Sequence, residues 1–507
     1  MKFIKRLFAT LTASAMILSA TAASAVSRPA AVRRDIAVRK ISFNNPEFIR
    51  GMDISSVISL ENSGVSFRNA EGEAEDIFKI LSDIGVIYIR VRVWNNPYDK
   101  DKNGYSGGNS DLEKAKIIGR RAAENGMKLL VDFHYSDFWA DPAKQQEPKE
   151  WKNLSVSEKC EKLYDYTKAS LDAIKDDGGD VGMVQIGNET TTGIAGEYAT
   201  SNVAKLYKSG IKAVRDFDKA VLTVIHFTNP ERTEATKDLA DMLSDNQVDY
   251  DVFAVSYYPY WHGSLENLTD VLSYAAKTYG KYVMVAETSY AYTLDDSDGH
   301  ANTVSRWANN EGENLLWSFT PQGQAEEVRD VMNAVNNVGE KGLGVFYWEG
   351  AWITVGDTTN LSGSEYNNRL TENKKLWESF GSGWASSKSA EYDPDDAGKY
   401  YGGSAVDNQT FFDSKGRALP SLEVFKLVKT GSVSADVLSG DADGDGAVNI
   451  NDATVIQLHL AEKLTLDEAA GYAADIDRNG ELNINDASLI QRYLARLSTE
   501  FEVNTMR

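Results

Sequence analysis

Two short apolar stretches of this chain end in a glutamate. The first is Met183-Val-Gln-Ile-Gly-Asn-Glu189, and the second, Val283-Met-Val-Ala-Glu287, has nearly the same shape. Each is typical of a buried strand that carries a carboxylic acid to its carboxyl-terminal end. Two such acids can share the cleavage of a glycosidic bond, since one protonates the leaving oxygen and the other attacks the anomeric carbon, at a separation of roughly 5–5.5 Å in retaining enzymes. The pair therefore indicates glycoside hydrolysis, provided that the fold brings the two strand ends together.

The rest of the chain supplies elements that could do so. Eight strand-like apolar runs alternate with segments of helical periodicity. The runs are Phe48–Asp53, Val86–Val93, Lys128–Phe133, Met183–Gly187, Ala220–Ile225, Val252–Ser256, Tyr282–Ala286 and Gly344–Trp348. Strands separated by helices pair in parallel, and eight of them predict a closed (β/α)8 barrel of the α/β class. An open doubly wound sheet is the alternative, but no Gly-rich phosphate turn follows any of these strands.

In such a barrel the functional side chains lie at the carboxyl ends of the strands. Here these ends carry polar and aromatic residues that would form a cleft. They are Arg90, Arg92, His134, Tyr135, Asn188, Glu189, His226, Tyr257, Tyr258, Tyr260, Trp261, Glu287, Trp348, Glu349 and Trp352. We expect Tyr258 and one arginine to hold a carboxylate ionised, and Asn188 to bind a sugar hydroxyl. Arg90 and Arg92 point the same way in an alternating strand, so the pattern does not rank them.

Composition narrows the range of partners. The net charge of −22 disfavours nucleic acids and anionic membrane surfaces, while neutral substrates and metal cations are compatible with it. The 24 Tyr and 10 Trp are consistent with carbohydrate binding. The single cysteine, Cys160, excludes an intrachain disulfide, and we expect no catalytic role for it. We predict a monomeric enzyme.

The amino terminus predicts export. Basic residues at positions 2, 5 and 6 precede an apolar run from Leu7 to about Ala23, and Ala23-Ser-Ala25 is a small-residue cleavage site. We interpret residues 1–25 as the signal peptide of a secreted, extracellular protein. Secretion without disulfides indicates a bacterial source. Residues 26–44 are predicted to be a mobile leader.

The remaining chain divides into two domains and a linker. A barrel domain is predicted over residues 45–430, with a long irregular stretch at 353–412 and a last helix near Leu419–Lys429. Loops of that length are usually functional or separately stabilised. Residues 431–439 are interpreted as a linker, and 440–500 as a small all-α module that binds calcium.

The evidence for that module is a duplicated acidic loop. Oxygen-bearing residues occupy loop positions 1, 3, 5, 9 and 12, with Gly at position 6, and the pattern repeats 34 residues later. The predicted calcium ligands are Asp441, Asp443, Asp445, Asn449 and Asp452 in the first loop and Asp475, Asp477, Asn479, Asn483 and Asp486 in the second. Helices are expected at Ala453–Ala461 and Ala487–Leu497. Neither loop has Glu at position 12, and Lys429–Gly440 is too rich in Gly and Ser for an entering helix, which argues against a calcium-sensing EF-hand pair. A module this small needs its two calcium ions to fold.

The region from about Phe48 to Lys429 resembles glycoside hydrolase family 53, the arabinogalactan endo-β-1,4-galactanases. The matching stretches are RGMDISSV (50–57), RVRVWNNP (90–97), VDFHYSDFWADPAKQ (131–145), VQIGNE (184–189), VAETSYAYT (285–293) and GGSAVDNQ (402–409). The resemblance implies a retaining mechanism on β-1,4-galactan, with Glu189 as proton donor and Glu287 as nucleophile. It also implies that the cleft is lined by Asp137, Phe138, Trp139 and Asp141. We expect Trp348 and Trp352 to bind substrate as well, and His134 and His226 to support the catalytic pair.

A third calcium site is implied in the barrel loops. Asp296-Ser-Asp298-Gly-His300-Ala-Asn302 places oxygen-bearing groups at every second position, and on spacing alone an ordinary acidic turn is as good an interpretation. Bacterial members of the family look similar here, and the resemblance implies a calcium ion that ties loop 7 to loop 8, with Ser404 and Asp407 completing its ligands.

The duplicated C-terminal unit resembles a type I dockerin, which implies a cohesin partner on a cellulosome scaffold. Ile450-Asn451 and Ile484-Asn485 occupy the same place in both repeats, so we infer two nearly equivalent cohesin-binding faces. The predicted protein is thus a secreted endo-β-1,4-galactanase that acts on the galactan side chains of pectin. The alternatives are a retaining enzyme for another β-glycan, such as xylan, mannan or β-glucan, and an inactive galactan-binding component.

Overall fold

The protein folds around a closed eight-stranded barrel. The computed structural model describes residues 36–305, 315–432, 437–466, 468–497, 501 and 503–505. The predicted signal peptide lies outside these ranges. All eight strands pair in parallel in chain order, and the last pairs with the first. The strands are β1 Ile49–Asp53, β2 Tyr88–Val93, β3 Lys128–Phe133, β4 Val181–Ile186, β5 Leu222–Phe227, β6 Val252–Ser256, β7 Tyr282–Thr288 and β8 Gly342–Tyr347.

Helices surround this barrel and continue into the carboxyl-terminal region. They are α1 Val57–Asn62, α2 Ile77–Asp83, α3 Leu112–Glu124, α4 Val156–Asp176, α5 Thr200–Phe217, α6 Thr233–Asp245, α7 Leu265–Tyr279, α8 Pro321–Asn336, α9 Gly363–Phe380, α10 Ala397–Tyr400, α11 Val424–Thr430, α12 Ile450–Leu460, α13 Glu468–Ala474 and α14 Ile484–Leu494. In the described parts of the chain, no helix combines the length and the apolar character that crossing a membrane requires.

Local sequence explains where several of these helices begin. The Ser155 side chain accepts from the Glu158 amide while the Glu158 side chain reaches back, which is a capping box at the start of α4. At α8, the Thr320 side chain accepts from Gly323 N and Pro321 stands at the first helical turn. These caps satisfy amides that have no partner within the helix.

The barrel has two apolar layers, as expected for parallel strands buried on both faces. Strand side chains such as Leu130, Met183 and Phe346 fill the interior, and a larger cluster joins the outer faces of the strands to the helices. Gly51 on β1 leaves room for the Phe346 ring, because a Cβ there would lie 2.3 Å from it. The interior is therefore a packed core that holds the strand ends at fixed positions.

The predicted (β/α)8 barrel is confirmed, and each observed strand overlaps its predicted run. Two expectations were wrong. The stretch 353–412 contains the 18-residue helix α9, stabilised by the burial of Asn373 and Trp377. The described part of the leader is not a free segment, because Ile36, Val38 and Ile41 are buried and Ile41 N donates to Val428 O at 2.8 Å.

The C-terminal module, defined here as residues 437–505, has its own small core. α12 and α14 pack together over Ile456, Ile476 and Ile490, with Val503 closing one side. Both helices begin with an asparagine capping box, at Asn449 and at Asn483. The two predicted loop–helix units are present, with helices that start at Ile450 and Ile484 rather than three residues later. The short helix α13 between them was not predicted.

Candidate active site

The ends of β4 and β8 deliver their glutamates through unusual backbone conformations. Gly187 follows β4 with φ +89°, and a Cβ there would lie 2.5 Å from Thr190 Cγ2, so only glycine fits. Glu189 then adopts φ +44° and Glu349, after β8, adopts φ +49°. Such conformations cost a non-glycine residue about 1–3 kcal/mol and occur often at functional sites. The backbone therefore aims both side chains into the mouth of the barrel.

Glu287, near the end of β7, is buried between a cation and a phenol. Arg90 Nη2 lies 2.7 Å from its Oε1, and the Tyr258 hydroxyl donates to its Oε2 at 2.9 Å. Burial raises the pKa of Glu287 above its ordinary value, while the charge of Arg90 and the Tyr258 hydrogen bond oppose that rise. Both oxygens are thus held by donors that favour the carboxylate.

Arg90 is the centre of a buried ion network. Besides Glu287, its guanidinium donates to Asp53 Oδ2 at 3.0 Å and to Asp132 Oδ2 at 2.9 Å. A further bond of 2.9 Å reaches Asn188 Oδ1. Burial alone would raise the pKa of Asp132, but Arg90 and a neighbouring histidine lower it. The carboxylates around Arg90 fix its side chain against Glu287.

Arg92, two residues along the same strand, has a different partner. Its Nη1 pairs with Glu349, whose other oxygen accepts from Ser56 Oγ at 2.7 Å, and its Nη2 donates to Gly107 O at 2.7 Å. The guanidinium carbon lies 4.4 Å from the centre of the Trp139 ring. The sequence could not rank these two arginines, and the structure separates them: Arg90 contacts Glu287, whereas Arg92 contacts Glu349 and the Trp139 ring.

Glu189 lies in a less charged environment. Burial, and next the charge of Glu287, raise its pKa to about 8, while hydrogen bonds from Ser256 and Thr228 lower it. The charge of the nearby Asp141 raises the pKa of Glu189 further. Glu189 therefore holds its proton near neutral pH, whereas Glu287 has Arg90 beside it.

Two histidines connect these groups. His134 Nδ1 accepts from Trp94 Nε1 at 3.1 Å, which leaves Nε2 to donate to Asp132 Oδ2 at 3.0 Å. His226 Nδ1 accepts from the Glu189 amide at 3.3 Å, and its Nε2 lies 2.9 Å from Ser256 Oγ. Burial and the charge of Arg90 lower the pKa of His226 well below its ordinary value. Both rings orient neighbouring groups, and His226 does so without a charge.

The predicted cleft-lining residues fall into two groups. Trp139, Asp141 and Trp348 are partly exposed. Asp137, Phe138 and Trp352 are buried and do not line an open surface. The structure gives the reasons: the Asp137 carboxylate accepts from the amides of two neighbouring loops, Phe138 packs against Trp94, and Trp352 Nε1 donates to Ser382 O at 2.8 Å.

The Asn188 side chain has hydrogen-bond partners within the protein. Its Oδ1 accepts from Arg90, its Nδ2 donates to Ala140 O at 2.9 Å, and its side chain is buried. The amide that was expected to bind a sugar hydroxyl is thus engaged on both atoms within the protein. It links the arginine network to the loop after β3.

Several residues of the site were not singled out from the sequence. Gln185 on β4 donates to Asp132 Oδ1 at 2.6 Å and lies 3.0 Å from His226 Nδ1. Asp53 ends β1 and receives Arg90. Their inward position on alternating strands was the available signal. Trp261, by contrast, was among the strand-end residues expected from the sequence; it is 48% exposed beside Tyr258, with ring centres 5.6 Å apart, and offers a flat apolar face at the mouth.

Loops 7 and 8 bring together a cluster of carboxylates. Oxygens of Asp296, Asp298 and Asp407 lie within 4.8 Å of one another. Ser404 N donates to Asp298 Oδ2 at 2.8 Å and Asn302 Nδ2 to Asp407 Oδ1 at 2.7 Å. Burial and the charge of Asp407 raise the pKa of Asp298 well above its ordinary value, and burial raises the pKa of Asp407 to about 7.

This cluster fits a hard cation. Among the described residues, Asn302 Oδ1 is buried without a hydrogen-bond partner, and the three carboxylates have no basic side chain against them in the described ion pairs. Carboxylate and amide oxygens are the ligands that calcium prefers. The His300 ring packs against Gly402 and Trp377, while its backbone amide donates to Asp298 Oδ1 at 2.7 Å, so His300 adjoins the cluster through its main chain.

The two loops of the C-terminal module have the same internal geometry. Asp441 accepts from the amides of Asp445 and Gly446 at 3.0 and 2.9 Å, and Asp475 accepts from those of Asn479 and Gly480 at 3.2 and 2.9 Å. Two acidic clusters result, one in each loop. They are Asp441, Asp443 and Asp452, and Asp475, Asp477 and Asp486. The repeat seen in the sequence is therefore a repeat in three dimensions.

Comparisons with known proteins match both parts of the chain. The model of glycosyl hydrolase family 53 matches residues 49–425, and that of the dockerin type I domain matches residues 439–495. An endo-β-1,4-galactanase of Bacillus subtilis (strain 168) is 56% identical over 79% of this chain and 90% of its own length. An arabinogalactan endo-β-1,4-galactanase of Cellvibrio japonicus is 32% identical over 78% of this chain and 94% of its own length.

Solved structures give the same assignment. The family 53 catalytic domain of Ignisphaera aggregans superposes with a TM-score of 0.67 at 35% identity, covering 78% of this chain and 99% of that domain. A fungal β-1,4-galactanase superposes with a TM-score of 0.57 at 29% identity, covering 75% and 98%. The chain belongs to glycosyl hydrolase family 53 and carries a C-terminal type I dockerin domain.

Proposed function

We propose that this protein is a secreted endo-β-1,4-galactanase that cleaves galactan side chains of pectin by double displacement and is carried on a cellulosome. The observation that carries the proposal is the pair of glutamates at the barrel mouth. Glu287 is held by Arg90 and Tyr258, whereas Glu189 has a pKa raised to about 8. Two carboxyl groups with opposed environments are what acid and nucleophile roles require.

In the first step Glu287 Oε attacks the anomeric carbon of the bound galactosyl unit. The proton of Glu189 passes to the glycosidic oxygen, the bond to the leaving sugar breaks, and a glycosyl ester forms on Glu287. Arg90 stabilises the carboxylate before attack, and the Tyr258 hydroxyl is placed to stay with the ester oxygen that does not react. The ion network already fixes Arg90 and Tyr258 in position, so the reaction needs little reorganisation of either group.

In the second step Glu189, now ionised, takes a proton from water. The resulting hydroxide attacks the anomeric carbon from the face that the leaving sugar vacated, and the ester to Glu287 is released as carboxylate. Two inversions leave the configuration unchanged. The neutral His226 supports this step by fixing the Glu189 amide and Ser256 without adding charge.

Galactan is the substrate favoured by the relatives, which are named endo-β-1,4-galactanases. The aromatic wall, formed by Trp139, Trp348 and Trp261, is suited to binding a carbohydrate. Trp139 and Trp348 lie with ring centres 6.3 Å apart and are partly exposed, and Trp261 is exposed beside Tyr258. Sugar rings stack their C–H faces on such side chains. These contacts select a sugar chain, while the loop residues around them would select galactose.

Calcium completes the proposal in three places. In the barrel, Asp296, Asp298, Asn302 and Asp407 would hold an ion that neutralises the cluster and joins loop 7 to loop 8. In the dockerin, each acidic loop would hold one ion and fix the start of the helix that follows it. The ions supply structure and no catalytic step.

The dockerin supports a cohesin partner and an extracellular location. Ile450 and Ile484 are 57% and 55% exposed at equivalent places in the two repeats. Exposed apolar side chains at the start of two matched helices are suited to a protein interface. We expect each face to bind a cohesin in turn.

The test is hydrolysis of β-1,4-galactan, xylan, mannan and β-glucan by the calcium-loaded protein, with Glu287→Ala prepared in parallel as a control for contaminating activity. Short galactose oligomers from galactan alone are expected. Nuclear magnetic resonance of the first products should show the β anomer, as retention requires. Products from a different glycan would show that galactan is not the substrate. First products of the α anomer would show that the mechanism is inverting. The absence of products from every glycan would contradict the proposal that the protein is an enzyme.

A further inference from the structure

One face of α8 is buried although it points away from the barrel. Gln322 and Glu326 are 4% and 6% exposed. Outward positions on the helices of a (β/α)8 barrel normally face solvent, so another part of the chain must cover them. Gln322 exchanges hydrogen bonds of 3.0 and 2.8 Å with the backbone of Ala37, and this contact explains why Gln322 is buried. Glu326 is covered by the dockerin.

The dockerin contacts this face through its second repeat. Arg478 Nη1 lies 3.7 Å from Glu326 Oε2, and the Tyr472 hydroxyl donates to Glu326 Oε1 at 3.3 Å. The Arg478 carbonyl accepts from Ser318 Oγ at 2.7 Å and from Thr320 Oγ1 at 3.3 Å. The main chain of Arg478 is thus bound by the segment that leads into α8, and its side chain lies against α8 itself.

The two repeats differ at the residues that make these contacts. Arg478 stands at loop position 4 with φ +55°, and the matching residue of the first repeat is Gly444 with φ +73°. Glycine adopts that conformation without strain, whereas arginine does not. Tyr472 likewise corresponds to Leu438. A Cβ at Gly444 would meet nothing within 4 Å, so the first loop has no equivalent contact there.

The connection between the domains favours closure. Ser432 N donates to Val38 O at 2.9 Å, close in sequence to the Ala37 that covers Gln322, and six residues separate Ser432 from Ser439 of the dockerin. The seven residue steps from Ser432 to Ser439 span about 25 Å at most. A tether this short gives an effective concentration on the order of millimolar, at which a few polar contacts are enough to populate the closed form.

We propose that the dockerin is clasped to the catalytic domain by its second calcium loop, through Arg478 and Tyr472 on one side and Ser318, Thr320 and Glu326 on the other. The clasp leaves both cohesin-binding faces open, because Ile450 and Ile484 remain exposed. Enzyme and dockerin then move as one body. The clasp depends on neither the galactan substrate nor the order of catalytic steps.

The experiment compares the calcium-loaded full chain with three variants by small-angle X-ray scattering and by hydrogen exchange over residues 315–329. Arg478→Gly removes the side-chain contact to Glu326 and restores the residue type of the first repeat. Glu326→Lys, outside the dockerin, places like charges together. Gly444→Arg is the matched control, since it adds the same side chain to the first loop.

We expect the first two variants to have a larger radius of gyration and maximum dimension than the wild type, with exchange over 315–329 faster by several-fold, and the control to match the wild type. Calcium calorimetry on Arg478→Gly checks that its loops still bind. If Arg478→Gly no longer binds calcium, its dockerin is disturbed in itself, and Glu326→Lys alone then tests the clasp. Scattering and exchange identical to the wild type in the deciding variants would overturn the clasp.

Discussion

Carboxylates are concentrated both at the barrel mouth and in the acidic loop clusters, which are the Asp296, Asp298 and Asp407 cluster and the two loops of the dockerin. The two kinds of site differ in what neutralises the negative charge. At the mouth, Arg90 lies within 3.0 Å of oxygens from Asp53, Asp132 and Glu287. In the loop cluster of Asp298 and Asp407 the protein supplies N–H donors and no cationic side chain in the described ion pairs. Burial raises the pKa of Asp486 in the dockerin to about 6 in the same way.

The difference separates a site whose carboxylates are neutralised by the protein's own arginine from sites whose carboxylates we propose are neutralised by an ion. A guanidinium fixed by several carboxylates keeps its charge and position throughout a reaction, so Glu287 can lose and regain its own charge beside it. A loop of carboxylates without a cation is repulsive until a metal binds, and the binding free energy is then available to folding. The largest effects should therefore follow removal of metal from the dockerin.

Chelation should unfold the dockerin and leave the barrel folded. The dockerin core is small, whereas the barrel has a large apolar core independent of metal. Hydrogen exchange in excess chelator should show complete loss of protection over α14, and cohesin binding should disappear while galactan hydrolysis continues. Persistent protection of α14 without calcium would show that the acidic loops fold unaided.

Replacing the proposed nucleophile should have the next largest effect. Glu287→Ala removes the oxygen that we propose forms the glycosyl ester, and we expect the rate of galactan hydrolysis to fall by about 10⁴-fold or more. Galactan binding measured by calorimetry should survive, because the aromatic wall is unchanged. A variant with wild-type turnover would mean that another carboxylate attacks the sugar.

The two arginines of β2 offer a matched pair. Both are buried on one strand, but Arg90 contacts Glu287 and Arg92 contacts Glu349 and Trp139. Arg90→Lys should lower kcat by about 10²-fold, the scale of one lost charged contact in the transition state. Arg92→Lys should act mainly on KM. Thermal unfolding of both variants separates these effects from loss of fold, and equal effects on kcat would remove the distinction.

The smallest predicted effect is a shift in pH dependence. Glu189 must be protonated to act as acid, so kcat/KM should fall as the pH rises through its pKa of about 8. The charge of Asp141 raises that pKa, and Asp141→Asn should move the basic limb to lower pH by less than about one unit. Asp238→Asn, an exposed carboxylate on α6, is the control. A basic limb that stays in place would exclude Asp141 as a neighbour of the acid.

Much of the fold followed from the sequence because the barrel strands are apolar runs with clear ends. Helix α9 did not, since its sequence is mostly polar and only Asn373 and Trp377 are buried. The segment at Ile36, Val38 and Ile41 was hidden by the basic residues around it. In both cases a few widely spaced contacts, rather than a periodic pattern, fix the structure.

The candidate site was predictable to the level of strand ends but not of partners. Arg90 and Arg92 share a strand face, and what separates them is Glu287 and Glu349, on strands far along the chain. Asp137 and Phe138 belong to a motif typical of the family, yet loop packing turns both side chains into the protein. Such choices depend on neighbours distant in sequence, which no local pattern contains.

The clasp at Arg478 changes what a two-faced dockerin would do. On a loose tether, exchanging one cohesin-binding face for the other would alter only the path of the linker. With the dockerin fixed to α8, the same exchange would turn the catalytic domain together with the dockerin on its scaffold. One enzyme could then present its cleft in two directions, toward galactan chains on either side of the complex.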